Sequence, residues 1–89
     1  MLKIVRSTDG DFVLFTLSGR IDVEHAVELQ ACFRAERDRV VLDLVDVKRV
    51  DRDAMAFLER WDTEGIALEN CPAHIREWIA KARAQKGRT

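Results

Sequence analysis

Four side chains of this 89-residue chain could hold a soft metal or pair as nucleophile and base: His25, Cys32, Cys71 and His74. Only Cys71-x-x-His74 has a metal-ligand spacing. A zinc site needs about four ligands, and His25 and Cys32 lie far upstream, so no metal and no cofactor are expected. Cys71 precedes an expected helix start, which could lower its pKa and make it reactive. A small residue packed under a strand–helix junction is the favoured reading and the expected role. Ser7 and Ser18 have no triad spacing to either histidine. Asp51 and Asp53 bracket Arg52, but general acid–base work would need a pocket and perturbed pKa values. Capping and the helix dipole account for both acids without chemistry. Glycines stand alone at 10, 19, 65 and 87, so there is no phosphate-binding loop. The chain is not expected to be an enzyme.

These residues must be placed by strands and helices that local patterning predicts. Leu2 to Arg6 reads as a short strand, Thr8-Asp9-Gly10-Asp11 as a turn, and Phe12 to Leu17 as an antiparallel second strand ended by Gly19. Asp22 is placed to cap a first helix, with Glu24 in its first turn and Ala26, Leu29 and Phe33 on one stripe beside Cys32. That helix is expected to fray through the mixed-charge segment from Arg34 to Arg39. Val40 to Val45 is a β-branched run typical of a buried strand, followed by a short charged loop. A second helix is expected from about Arg52 to Glu64, with Ala54, Phe57, Leu58 and Trp61 at i, i+3, i+4 and i+7 and Gly65 as its stop. Ile66 to Glu69 is a fourth strand. Asn70-Cys71-Pro72 then starts a third helix with Ile75, Trp78, Ile79 and Ala82 on its stripe, and Lys81, Arg83 and Lys86 complementing its C-terminal end. Residues after about Gln85 are expected to fray.

The order β-β-α-β-α-β-α predicts one α/β domain over residues 1–89, a small mixed sheet of about four strands with amphipathic helices mainly on one face. Strands two to four should be parallel. Val40, Leu42, Leu44, Ile66 and Leu68 would receive the helices. The other face would carry Val41, Asp43, Val45, Ala67 and Glu69, partly open and available to a partner or a second copy.

Composition narrows the function classes. A formal charge of −1, with 35% charged residues of both signs and no basic stripe, gives no reason to expect nucleic acid. No apolar run approaches the roughly 20 residues needed to span a bilayer. The N-terminus lacks the pattern of a signal peptide, so a cytoplasmic protein without direct membrane insertion is expected. In a reducing compartment the two cysteines are expected as buried thiols, not a disulfide.

Leu17-Ser18-Gly19-Arg20-Ile21-Asp22 and Val40-Val41-Leu42-Asp43-Leu44, the latter followed by a loop, Val50-Asp51 and a helix, resemble hallmarks of STAS domains. That family includes bacterial anti-sigma factor antagonists, and the likeness runs from about residue 2 to 82. It implies a signalling module that binds protein, not an enzyme. In the antagonists the loop after strand three and the following helix dock a switch kinase. A serine there, within Asp-Ser-Ser-Gly or Asp-Ser-Thr-Gly, is phosphorylated to release the partner. Here the motif aspartate matches Asp51, while Arg52, Asp53 and Ala54 occupy the hydroxyl and glycine positions. No Ser, Thr or Tyr lies between Gly19 and Asp62. The usual phosphoswitch is therefore excluded from this loop, and Arg52 offsets any phosphate mimicry by Asp53.

The resemblance thus implies a non-catalytic protein–protein interaction domain, docking through Lys48, Arg49, Asp51, Arg52, Asp53 and Met55. Asp51 would be the helix cap and Met55 an adaptable apolar contact. The partner would be a switch kinase or anti-sigma factor. The alternative is an accessory subunit of a membrane lipid-transport ATPase or signalling assembly, and a nucleotide- or small-ligand-binding domain is a third reading.

Overall fold

The computed structural model describes residues 2–86, with side chains through 84. Seven elements follow in the expected order: β1 (Leu2–Asp9), β2 (Phe12–Ile21), α1 (Val23–Arg34), β3 (Arg39–Val50), α2 (Arg52–Thr63), β4 (Ala67–Glu69) and α3 (Ala73–Lys86). The sheet order is β1-β2-β3-β4. β1 is antiparallel to β2, and β2, β3 and β4 run parallel, as the crossover connections require. The expected α/β architecture is the observed one. The side chain of Lys86 and residues 87–89 of the tail expected to fray lie outside the described residues.

The strands are longer than local patterning indicated. β1 continues to Asp9, and the turn tightens to Gly10-Asp11, because Asp9 still pairs with Phe12. Gly10, at φ 59, supplies the positive φ that such a two-residue hairpin needs. Gly19 does not end β2, which runs on to Ile21. The expected charged loop after Val45 is instead the second half of β3. Register shifts fall between Thr16 and Ser18 and between Gly19 and Arg20, and each adds one residue to β3 relative to β2. These bulges break strict alternation: Leu42, Leu44 and Val47 all reach the core while Val45 and Asp46 are exposed.

All three helices contribute to a single apolar core with one face of the sheet. Val13, Phe15, Leu17 and Ile21 of β2 and Leu42, Leu44 and Val47 of β3 form its floor, with Val40, Ile66 and Leu68 partly buried against it. Ala26, Leu29 and Phe33 of α1, Ala54, Leu58 and Trp61 of α2, and Ile75 and Ile79 of α3 form the roof. Trp61 is fully buried, edge-on to Phe33 at 5.0 Å, and its Nε1 donates to Gln30 Oε1 at 3.0 Å. Trp78, expected on the buried stripe of α3, is instead 41% exposed, with its Nε1 donating to Glu59 Oε1 at 2.7 Å.

The opposite sheet face carries no helix. Val5 and Val45 are exposed there at 46% and 55%, whereas Val41 is buried without joining the helix-side core. Asp43 on this face accepts from Val45 N at 3.0 Å and from Asn70 Nδ2 at 3.1 Å. Neither cysteine is a buried thiol: Cys32 is exposed on α1 and Cys71 is half-buried. No described helix is long and apolar enough to cross a membrane.

Candidate functional site

The parallel strands β2 and β3 end side by side, and both then turn into helices. Asp51 N donates to Ile21 C=O at 2.9 Å, which extends the pairing one residue past the strands. The two helix starts are then secured differently. Asp22 accepts from His25 N at 2.8 Å, the expected N-cap bond of α1. Asp51 occupies the N-cap position of α2, but its side chain makes no cap bond. Its two carboxylate oxygens instead accept from Arg20 Nε and Nη2, both at 2.9 Å. The expected side-chain cap is thus corrected to a bidentate clasp between strand and helix, since the planar guanidinium matches a carboxylate better than one amide does.

The clasp holds the Asp51 carboxyl below its ordinary pKa, first through the Arg20 hydrogen bond and further through the charges of Arg20 and Arg49. An aspartate in an unfolded chain titrates near about 3.9. The clasp therefore contributes fully above that pH, and its contribution is lost as pH falls through the lower folded value. Thermal melts should show Arg20→Gln less stable than the parent at neutral pH, with the gap closing as the carboxyl protonates in acid. A gap that persists unchanged in strong acid would show that Arg20 acts by packing rather than by charge.

The other expected site residues are only partly brought together. Lys48 and Arg49 project, exposed, from the end of β3, and Arg52 and Asp53 are exposed in the first turn of α2. Met55 is 4% exposed and belongs to the core, so the expected adaptable contact is corrected to a packing residue. At its edge Met55 lines a shallow groove of about 340 Å³ with Val50, Arg52, His74 and Trp78.

Sequence reasoning missed an apolar strip on the other flank of α2. Val23, Val27, Gln30 and Arg34 share one side of α1 at helical spacing. Gln30 bonds Trp61 of α2 and Arg34 bonds Glu64, the C-cap residue of α2, so this side borders α2. Asp53, Phe57 and Arg60, in line with the capping Glu64, form the corresponding side of α2 by the same spacing. Val23 and Val27 are nevertheless 38% and 50% exposed. The available signal was their i, i+4 spacing off the Ala26, Leu29, Phe33 stripe. The charged start of α2 is therefore flanked by exposed valines on α1 and by Trp78 on α3.

The candidate chemical groups show no reacting constellation. Burial pushes the Cys71 thiol up, with Arg76 opposing in part, so the possible low-pKa cysteine is corrected. Cys71 lines a cavity of about 550 Å³ together with Leu68, Arg76, Ile79 and Arg83. Both arginines there are engaged, Arg76 with Cys71 C=O at 3.2 Å and Arg83 with Asp62 at 3.1 Å. His25 Nδ1 lies 2.8 Å from Asp22 Oδ1 without a directed hydrogen bond. Among the described residues no three His, Cys, Asp or Glu side chains cluster as a metal site would require.

No family model and no curated protein matches this chain. Solved structures do. One similar structure is of an uncharacterized protein of the DUF3478 family from Shewanella loihica PV-4, described as having a SpoIIAA-like fold. It has 12% identity and a TM-score of 0.53 over 76% of this chain and 62% of that one. This chain has a SpoIIAA-like fold, the fold of STAS domains. A structure of a protein named Mglu is similar to this chain with 25% identity and a TM-score of 0.61, covering 78% of this chain but 19% of that one. A second Mglu structure, in the presence of 4.3 M NaCl, gives 20% identity and a TM-score of 0.52 over 79% of this chain and 26% of that one. The chain thus spans about a fifth to three-fifths of the length of these neighbours.

Proposed function

We propose that this STAS-like domain is a non-catalytic docking module that grips a protein partner through the start of α2 and its two flanks. The observation that carries this reading is the placement of exposed apolar groups around a charged helix start: Val23 and Val27 on one side, Trp78 on the other. Exposed apolar groups next to charged ones are the two kinds of contact that a protein interface combines. Lys48, Arg49, Arg52 and Asp53 supply mixed charge that selects the partner rather than driving affinity. The clasped Asp51 positions the helix instead of touching the partner. Partner release by phosphorylation has no hydroxyl to act on between Gly19 and Asp62.

Affinity capture from the native cell, comparing the parent with the double variant Arg52→Glu, Asp53→Arg, tests the reading. Recovery of the specific partner is expected to fall more than tenfold, equivalent to about 1.4 kcal/mol. A Val45→Asp variant, altered on the sheet face away from the helices, is expected to recover it in full. Equal recovery by the parent and the double variant would remove this surface from consideration. The recovered partner, switch kinase or transport ATPase, would then assign the assembly.

A further inference from the structure

The two edges of the sheet are unequal. β4 has only three residues, Ala67–Glu69, and a short edge offers little to pair with. β1 has eight, contains no proline, and pairs with β2 in unbroken register from Leu2↔Gly19 to Asp9↔Phe12. Among the described residues it has no bulge and no covering element, and Lys3 and Val5 to Asp9 are exposed along it. Its outer row of amides and carbonyls makes no backbone hydrogen bond beyond the ladder with β2 among the described residues.

The hairpin sets which residues form that row. In a two-residue hairpin loop the flanking pair is hydrogen-bonded, here Asp9↔Phe12. Ser7, Val5 and Lys3, at period two from Asp9, therefore direct their backbone groups to β2. Leu2, Ile4, Arg6 and Thr8 direct theirs outward. We propose that β1 pairs antiparallel with β1 of a second copy of this chain, about a twofold axis at Val5, joining two sheets into one of eight strands.

The side chains favour this register. Val5, 46% exposed, meets Val5 of the other copy in a non-hydrogen-bonded pair, where side chains approach most closely. Outward-facing Ile4 and Arg6 exchange backbone bonds, as do Leu2 and Thr8. Lys3 lies opposite Ser7 and diagonal to Asp9 of the other copy, opposite charges within reach on the same face. Sliding one step of two residues further would place Arg6 against Arg6, like charges directly opposed. In the proposed register these arginines are only diagonal, and each is already neutralised by Glu36 at 2.8 and 3.0 Å. A twofold perpendicular to the sheet keeps all helices on one side, so the α2 surface stays free in the dimer.

Cross-linking reads the register directly. In a Cys32→Ser, Cys71→Ser background, Val5→Cys should oxidise to a covalent dimer at least tenfold faster than Ser7→Cys. The two sites lie on the same strand and face, but only residue 5 meets itself. Sedimentation equilibrium on the unmodified chain should show a concentration-dependent dimer. Arg6→Pro, which removes an outward amide and none of the bonds to β2, should return it to monomer with unchanged circular dichroism. A chain monomeric at every concentration, equal cross-linking at residues 5 and 7, or a dimer unaffected by Arg6→Pro would each overturn the proposal.

Discussion

Trp61→Ala is expected to lower the unfolding free energy by about 3–5 kcal/mol, read as a shift of the denaturant midpoint. The indole is fully buried, lies edge-on to Phe33 and within 6.0 Å of Phe57, and joins α1 to α2 through the Gln30 bond. Its removal opens a cavity where α1 and α2 meet and leaves a half-buried amide without its partner. Domains of this size are stable by roughly 5 kcal/mol or somewhat more, so the variant should be substantially unfolded near 37 °C. Trp61→Phe, which keeps a ring but loses the Nε1 donor, should cost less. A loss below about 1 kcal/mol for the alanine variant would mean that the helices do not meet where Trp61 places them.

Val27→Asp is expected to act on binding instead. Val27 is half exposed, so the substitution should change stability by no more than about 0.5 kcal/mol. The valine strip is an apolar flank that the partner would cover, and a desolvated carboxylate there should weaken binding by about 2 kcal/mol or more, roughly thirtyfold. Titration calorimetry with the captured partner measures both this variant and Val45→Asp. Val45 is 55% exposed but lies across the sheet, so its variant should bind like the parent. Equal losses for the two would point to a generic effect of surface charge and away from a defined docking face.

The parts of this fold that were legible in the sequence are those fixed by local chemistry. The Asp22 cap, the four-position stripe of α2 and the turn at Gly10 each depend on residues within a few positions of one another. The element order and the parallel sheet followed from connection lengths. The second half of β3 was not legible, because two bulges relative to β2 place Val45 and Asp46 together in solvent and hide the period of two. Trp78 was misplaced because hydrophobicity alone cannot tell a buried stripe from its border. The Arg20–Asp51 clasp escaped notice for a different reason. Both residues were conspicuous, but only the pairing of β2 with β3 brings positions 31 apart in the chain within 2.9 Å. The candidate site accordingly keeps its charged helix start, gives Met55 to the core, and gains Val23 and Val27.

Amide hydrogen exchange of the chain alone and in complex with its captured partner tests the docking claim most directly. The account predicts slowed exchange in residues 22–28, 50–60 and 74–78, with the sheet face around Val45 and the segment 67–71 unchanged. Protection confined to that sheet face or to the cavity beside Cys71, with the start of α2 unaffected, would contradict it.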